Sequence, residues 1–236
     1  MQRRWVWLVV IAWAFVAKAQ EPPELVVPRL AEGTAAPTID GELNDPAWAS
    51  AAWVSLRDAK TGAVPRRPTE VGIFYTLDAL YLAYRCTDEV KPNARLTVRD
   101  ANLWEEEVVE LFLDPDGNPR TYYELEWNPL NTLFDAYLIN SGKRRWLLRD
   151  LSLEGLEHQV AWNDSGWTVE VRLPIEDLGE APVWPPTPET VWRGNFYRIE
   201  RSDDPIQPEM TSWSVIGRYD FHETQAFGRI RFATTP

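Results

Sequence analysis

One stretch of this chain gathers groups that could recognise a sugar: Trp104-Glu-Glu-Glu-Val-Val-Glu-Leu-Phe-Leu-Asp114. A pyranose has apolar C–H faces and a rim of hydroxyls, so it needs flat aromatic surface beside fixed acceptors and donors. Of 13 Trp, three (Trp5, Trp7 and Trp13) fall in the first 19 residues and ten lie beyond. That is more than a core alone requires, so some of them are expected to face a ligand. Trp104 precedes a strand pattern and is followed by three Glu, a poor setting for burial, and reads as a platform. Within Val108 to Asp114 the residues Val109, Leu111 and Leu113 share one face and Glu110 points to the other. A carboxylate at mid-strand between apolar neighbours needs a partner or water if buried. A salt bridge from Glu110 to Arg85 or Arg198 is the structural alternative. Trp48, Trp53, Trp162 and Trp167 read as core, as aromatic residues in sandwiches usually do.

Other charged runs carry weaker signals. Glu105-Glu-Glu107 reads as a solvated face, with loop calcium as the lesser alternative. Asp114, Asp116 and Asn118 alternate like ligands of a calcium loop, which must supply most of six to eight oxygens. The same residues are first of all a turn, Asp114-Pro-Asp-Gly117. Gly142-Lys-Arg-Arg-Trp146 reads as a loop paired with neighbouring acids, with contact to an acidic glycan as the alternative. No Ser-His-Asp order or nucleophile elbow is present, and His158 and His222 do not stand at zinc-ligand spacing. A glycoside hydrolase would need two carboxyls across a cleft, ~5–9 Å apart. The abundance of acids leaves a weakly catalytic action on O-glycosyl compounds as the first rival function.

The elements that must position these residues read as short strands. Val71 to Thr76, Leu80 to Cys86, Val108 to Asp114, Tyr122 to Asn128, Phe134 to Ile139, His158 to Trp162, Trp167 to Pro174, Val191 to Arg201 and Phe227 to Phe232 follow in close order. Asn163-Asp-Ser-Gly166 reads as a hairpin connection. Asp45 is expected to cap a short helix with Pro46 at its first position, carrying Ala47 to Ala52. Ile175 to Leu178 is expected to form one helical turn. The pattern predicts an all-β antiparallel sandwich of immunoglobulin-like or jelly-roll type, with two sheets and one or two helical turns.

Arg3 and Arg4, the apolar run Trp5 to Val16 and Ala17-Lys-Ala19 form a cleavable secretory signal, and the run is too short to span a bilayer. The expected division is a signal peptide over 1–19, a leader over 20–35, in which Leu25-Val-Val27 could pair as an edge strand, and one domain over 36–233. The net charge is −12, and −15 once Arg3, Arg4 and Lys18 are removed. Such a balance disfavours nucleic acid and anionic membranes as partners. Cys86 is the single cysteine, so no internal disulfide can form, and it reads as a small buried apolar residue.

Five segments in order resemble the family 9 carbohydrate-binding modules: Ile39 to Trp48, Ala79 to Tyr84, Trp104 to Asp114, Gly166 to Pro174 and Ala226 to Phe232. The resemblance implies a non-catalytic module whose two Trp rings sandwich a sugar, often with structural calcium. By position Trp104 matches the first ring and Trp213, in Thr211-Ser-Trp-Ser214, the second. Glu110 matches a carboxylate that bonds sugar hydroxyls, and Glu126, Asn128, Asn195 and Arg198 are looser candidates for the polar rim. No cofactor is required by this reading; structural calcium would fall to Asp114 and Asp116. The implied partner is a mono-, oligo- or polysaccharide, bound by a monomer that is secreted or periplasmic. A related, DOMON-like superfamily binds haem in a comparable pocket, for which Met210 with His158 or His222 would be the axial stock. A structural envelope domain is the plainest alternative.

Overall fold

Strict alternation along the strands produces two packed sheets in the computed structural model, which describes residues 21–89, 93–179, 181, 183–201 and 206–233. The signal expected at 1–19 lies outside the described residues. Strands are numbered in chain order. The large sheet runs β1 (Glu24–Val27), β14 (Gly228–Phe232), β12 (Val191–Glu200), β6 (Val108–Asp114), β7 (Thr121–Trp127), β8 (Leu133–Asn140) and β9 (Arg145–Leu148). Short strands β13 (Glu209–Ser212) and β3 (Arg57–Asp58) join it beyond β12. The small sheet runs β10 (Glu157–Asn163), β11 (Gly166–Pro174), β5 (Ala79–Thr87), β4 (Thr69–Tyr75) and β2 (Ala52–Ser55). Within both sheets the pairings are antiparallel except β1 with β14, so Leu25 to Val27 does pair at an edge. Among the described residues no helix is long and apolar enough to cross a membrane.

Each strand expected from alternation is present, and Asn163 and Gly166 close the β10–β11 hairpin. Strands β2, β3, β9 and β13 were not legible, being four residues or fewer. The basic run expected as a loop thus ends in a strand. Asp45 does not cap the turn Pro46–Ser50 through its side chain; its Oδ2 accepts the Thr38 amide at 3.0 Å instead. The turn is 3-10 and short, because the chain passes at once into β2.

The core lies between the sheets. Val109, Leu111 and Leu113 of β6, with Leu125 and Trp127 of β7, meet Leu82, Tyr84, Cys86, Val169 and Val171 from the small sheet. Burial pushes the Cys86 thiol up to about 12, which leaves it inert at neutral pH. A second layer covers the outer face of the large sheet, where Phe112, Tyr122, Phe134, Tyr197, Phe221 and Phe227 cluster. Both faces of β6 are therefore buried.

Two of the recognisable sequence segments interlock through one carboxylate. Glu170 of β11 is fully buried, and its Oε2 accepts the amides of Asp40 and Gly41 at 3.0 Å each. Its Oε1 accepts Trp48 Nε1 at 2.7 Å, fixing the Trp ring edge-on to Phe74. Gly41 holds a left-handed φ of 85°, which lets its amide turn inward. Glu170→Ala leaves two buried donors, the Gly41 amide and Trp48 Nε1, and the more exposed Asp40 amide without an acceptor. The expected loss is roughly 3 kcal/mol or more in urea unfolding, a size that follows from stranded polar groups; a loss under about 1 kcal/mol would show that water replaces the carboxylate.

Candidate functional site

The outer face of the large sheet is covered only in part, and the uncovered part is a cleft of about 430 Å3. Its floor is made by β6 and β7, where alternation sends Glu110, Phe112 and Glu124 outward. One wall is Trp104, from the 3-10 turn Leu103–Glu105. The opposite wall carries Met210, Tyr219 and His222, and Arg145, Arg149 and Arg201 complete the rim.

Trp104 is half-buried, its ring edge-on to Phe134 at 5.4 Å with the Arg149 guanidinium 5.3 Å from its centre. The loop before it is tied down by acceptors: Glu106 takes the amides of Arg95 and Leu96, and Asn128 Nδ2 donates to the Leu96 carbonyl at 2.7 Å. Arg201 Nη2 donates to the Trp104 carbonyl at 3.1 Å. On the other wall, Asn195 Nδ2 donates to the Ser214 carbonyl and its Oδ1 accepts the Ser214 amide. Tyr197 stacks on Phe221 at 4.1 Å and donates to its carbonyl. Tyr122 Oη lies 2.8 Å from His222 Nδ1. Burial, helped by Arg145, holds the His222 imidazole down at about 4, so it is neutral at physiological pH.

Beneath the cleft, Glu110 stands opposite Glu126 in the β6–β7 register, with Glu124 on the same face one pair along. Loss of water pushes all three carboxyls above the usual range, Glu124 to about 7; Glu124 raises Glu110 further, Glu110 and Glu124 raise Glu126, and Arg149 opposes the rise at Glu124 and Glu126. Neither Arg85 nor Arg198 pairs with Glu110. Arg85 pairs with Glu70 at 4.0 Å, and Arg198 with Asp88 at 2.8 Å and Glu107 at 2.7 Å.

The structure thus brings together Trp104, Glu110 and Glu126, and separates the rest of the expected set. Asn128 and Asn195 are fully buried and brace the two walls rather than the rim. Arg198 lies on the inner side of β12, opposite Val109, because its parity differs from that of Tyr197. It is 1% exposed and does not reach the cleft.

Trp213 does not face Trp104. It packs on Phe196 at 5.6 Å and walls another hollow with Arg57, Gly62 and Val215. A Cβ on Gly228 would sit 2.2 Å from its ring, so that glycine is the seat of the indole. Asp114 and Asp116 form the expected turn: Asp114 Oδ1 accepts Gly117 and Asn118 amides, and both oxygens of Asp116 accept from Asn118. That leaves Asp114 Oδ2 alone for anything else.

Three other expectations are corrected. Glu106 and Glu107 are buried, not a solvated face, since they cap a loop and pair with Arg198. Trp162 is not core; it shares the face of Trp167 but is 44% exposed at the open edge of the small sheet, and it donates to the Pro129 carbonyl. Trp53 is only partly buried, with the Arg85 guanidinium 3.7 Å above its ring. Sequence reasoning also missed Glu124, Arg149, Arg201 and Tyr219. Glu124 was readable, because it shares strand parity with Glu126; the others come from segments far apart in the chain.

Comparison with known proteins gives this geometry a family. The model of the carbohydrate family 9 binding domain-like family matches residues 39–234. The chain belongs to that family. A protein of Arthroderma benhamiae named as an extracellular protein is 25% identical over 185 residues, 71% of this chain and 80% of its own length. Endo-1,4-beta-xylanase A of Thermotoga neapolitana is 22% identical over 197 residues, which is 83% of this chain but only 17% of the xylanase. Among solved structures, a putative carbohydrate-binding protein from Bacteroides uniformis superposes with a TM-score of 0.70 at 20% identity, covering 89% of this chain and 99% of its own. A family 9 module from Caldicellulosiruptor kristjanssonii in complex with cellotriose gives 0.65 at 16% identity, covering 90% of this chain and 95% of its own. The same kind of module in complex with glucose gives 0.63 at 16% identity, over 90% of this chain and 97% of its own. These structures share the fold.

The placement of Trp213 changes what its removal does. Trp213→Ala empties a seat between Phe196 and Gly228, and the expected cost is roughly 2–4 kcal/mol, the range for truncating a packed aromatic. Thermal or urea unfolding reads this directly; a stability equal to that of the unaltered chain would restore Trp213 as a free platform.

Proposed function

We propose that the cleft beneath Trp104 binds a saccharide without transforming it. The observation that carries this is a partly exposed indole standing over buried carboxyls in a member of the carbohydrate family 9 binding domain-like family. Trp104 offers a flat face to the C–H side of a sugar, Glu110 and Glu124 offer acceptors for hydroxyls, and Arg149 and Arg201 stand near as donors. Tyr219, 51% exposed on the opposite wall, takes the second aromatic position that Trp213 does not fill. Related modules solved with cellotriose and glucose direct the first assays to gluco-oligosaccharides.

The placement of the acids supports binding over hydrolysis. Glycosidases hold two carboxyls on either side of the scissile bond. Here Glu110, Glu124 and Glu126 rise from adjacent strands on one face, with oxygens within 4.8 Å of one another, and the carboxyl on the opposite wall, Asp220, is paired with Arg145 at 3.2 Å. Met210 and His222 both line the cleft, which favours haem as a second reading; His158 bonds Asn131 elsewhere. A Soret band in purified protein would decide for haem, and a colourless preparation that binds sugar would end it.

We further infer that the chain is exported and cleaved after Ala19, supported by the n-region, apolar run and small residues at its start and by the extracellular relative. Intact mass of the mature protein is expected to begin at Gln20, and a retained Met1 would refute export by this route. Polysaccharide uptake or degradation is the process in which such a module would serve.

The central test is intrinsic fluorescence during titration with a panel of mono- and oligosaccharides. A saturable change with one sugar class is expected, weakened about tenfold or more in Trp104→Ala, the size of loss typical of an aromatic hot spot. The stability of that variant should fall by only about 1 kcal/mol, because the ring is partly exposed. A flat response across the panel from folded protein would overturn the reading.

A further inference from the structure

Glu110, Glu124 and Glu126 are 2%, 5% and 0% exposed. No donor reaches Oε1 of Glu110 or either carboxyl oxygen of Glu126. The guanidiniums nearest the cleft are tied elsewhere: Arg145 to Asp220 at 3.2 Å, Arg149 to the Asp100 carbonyl and Asn102 Oδ1, and Arg201 to the carbonyls of Trp104 and Glu106. His222 is turned to Tyr122. A second buried acidic group among the described residues, Asp88, Glu107 and Glu200, is treated in the opposite way. Arg198 bonds Asp88 and Glu107 there, and Arg67 bonds Asp88 at 2.8 Å and approaches Glu200 at 3.5 Å. Arg145 and Arg149 draw on Glu124, and Arg149 on Glu126, only through space; uncompensated buried charge costs several kcal/mol per ion, so carboxyls held without a bonded cation require protons or a positive guest.

The shape of the group suits a metal ion. Two oxygens on one calcium, each at ~2.3–2.6 Å, stand no more than ~5 Å apart, and one oxygen from each of the three glutamates lies within 4.8 Å of the others. An all-carboxylate set selects hard ions over zinc or copper. Glu110 and Glu124 also open on the cleft, so ions and ligand can reach the group from solvent. We infer that Glu110, Glu124 and Glu126 form a divalent-cation site of the calcium class at the cleft floor, with its remaining coordination positions facing the saccharide. The second half of this inference rests on the saccharide reading of the cleft; the ion site itself does not. Vicinal hydroxyls of a sugar are oxygen ligands of the right kind to complete the shell. Recognition would then combine stacking on Trp104 with direct bonds from hydroxyls to the ion.

The test is calorimetric titration of chelator-treated mature protein with CaCl2 alone. Uptake of about one ion per chain is expected below ~1 mM, the weak end for calcium modules. Uptake should disappear in the double variant Glu110→Gln/Glu126→Gln and persist in Asp114→Asn. The double variant should match or exceed the parent in thermal midpoint under EDTA, since two buried acids are gone. Sugar titrations in EDTA and in calcium should then differ about tenfold or more in affinity.

No heat up to ~10 mM calcium, or uptake unchanged in the double variant, overturns the site. Equal sugar affinity in EDTA and calcium overturns coordination to the saccharide. Glucosamine binding to calcium-free protein where glucose fails would assign the three carboxyls to an ammonium group and overturn the metal. Calcium uptake with no sugar bound in either condition would support the ion site and overturn the saccharide reading, so the two failures are distinct.

Discussion

Withdrawal of water from carboxyl groups on β6 and β7 is the constraint on which the rest of the molecule turns. A sandwich needs only one face of each sheet buried, yet here the large sheet is covered on both. The outer cover is made from loops, and loops pay for burial only if their backbone polar groups find partners. Glu106, Asn128 and Asn195 supply those partners, and in doing so they fix the two walls of the cleft. The glutamates left beneath the walls have lost most of their water, and Glu110 and Glu124 meet whatever enters the cleft.

The contrast between the two buried acidic groups shows that this is a local choice of chemistry, not a general feature of an acidic chain. Asp88, Glu107 and Glu200 sit beside Arg67 and Arg198 and tie the ends of β5, β6 and β12 together. A charged group with such partners is stable inside a protein because hydrogen bonds and opposite charge replace water. Burial pushes Asp88 up to about 7 even so, with Glu107 adding to the rise and the two arginines opposing it. Across the sheet, the face of β6 that carries Glu110 has aromatic residues where those arginines would be: Tyr197 on one side, and Phe134 beyond Glu126 on the other. Aromatic neighbours remove water without supplying charge.

Much of the fold was legible because it depends on period-2 patterning. The expected bounds of β6 are those observed, and the apolar face of Val109, Leu111 and Leu113 is the one that meets the small sheet. The same parity exposes the error at Arg198: its neighbour Tyr197 faces outward, so Arg198 must face inward. Trp104 is partly exposed at the cleft, although two of the three glutamates that suggested this, Glu106 and Glu107, are buried. The seat of Trp213 was not legible, since nothing adjacent in sequence reveals that Gly228 leaves room for an indole. Trp162 misled for the converse reason: it alternates as a core residue would, but β10 lies at the edge of the small sheet.

By itself the sequence determined the all-β class, the register of side chains on each strand and the spacing of Trp104 from a carboxylate six residues on. These follow from local stereochemistry, which is the same wherever a strand sits. Only the tertiary structure decided which aromatic residues share a cleft, that Tyr219 rather than Trp213 stands on the far wall, and that three glutamates lie together at its floor. Those facts depend on how loops distant in the chain fold over one sheet face, and desolvation and ion pairing act through space rather than along the backbone.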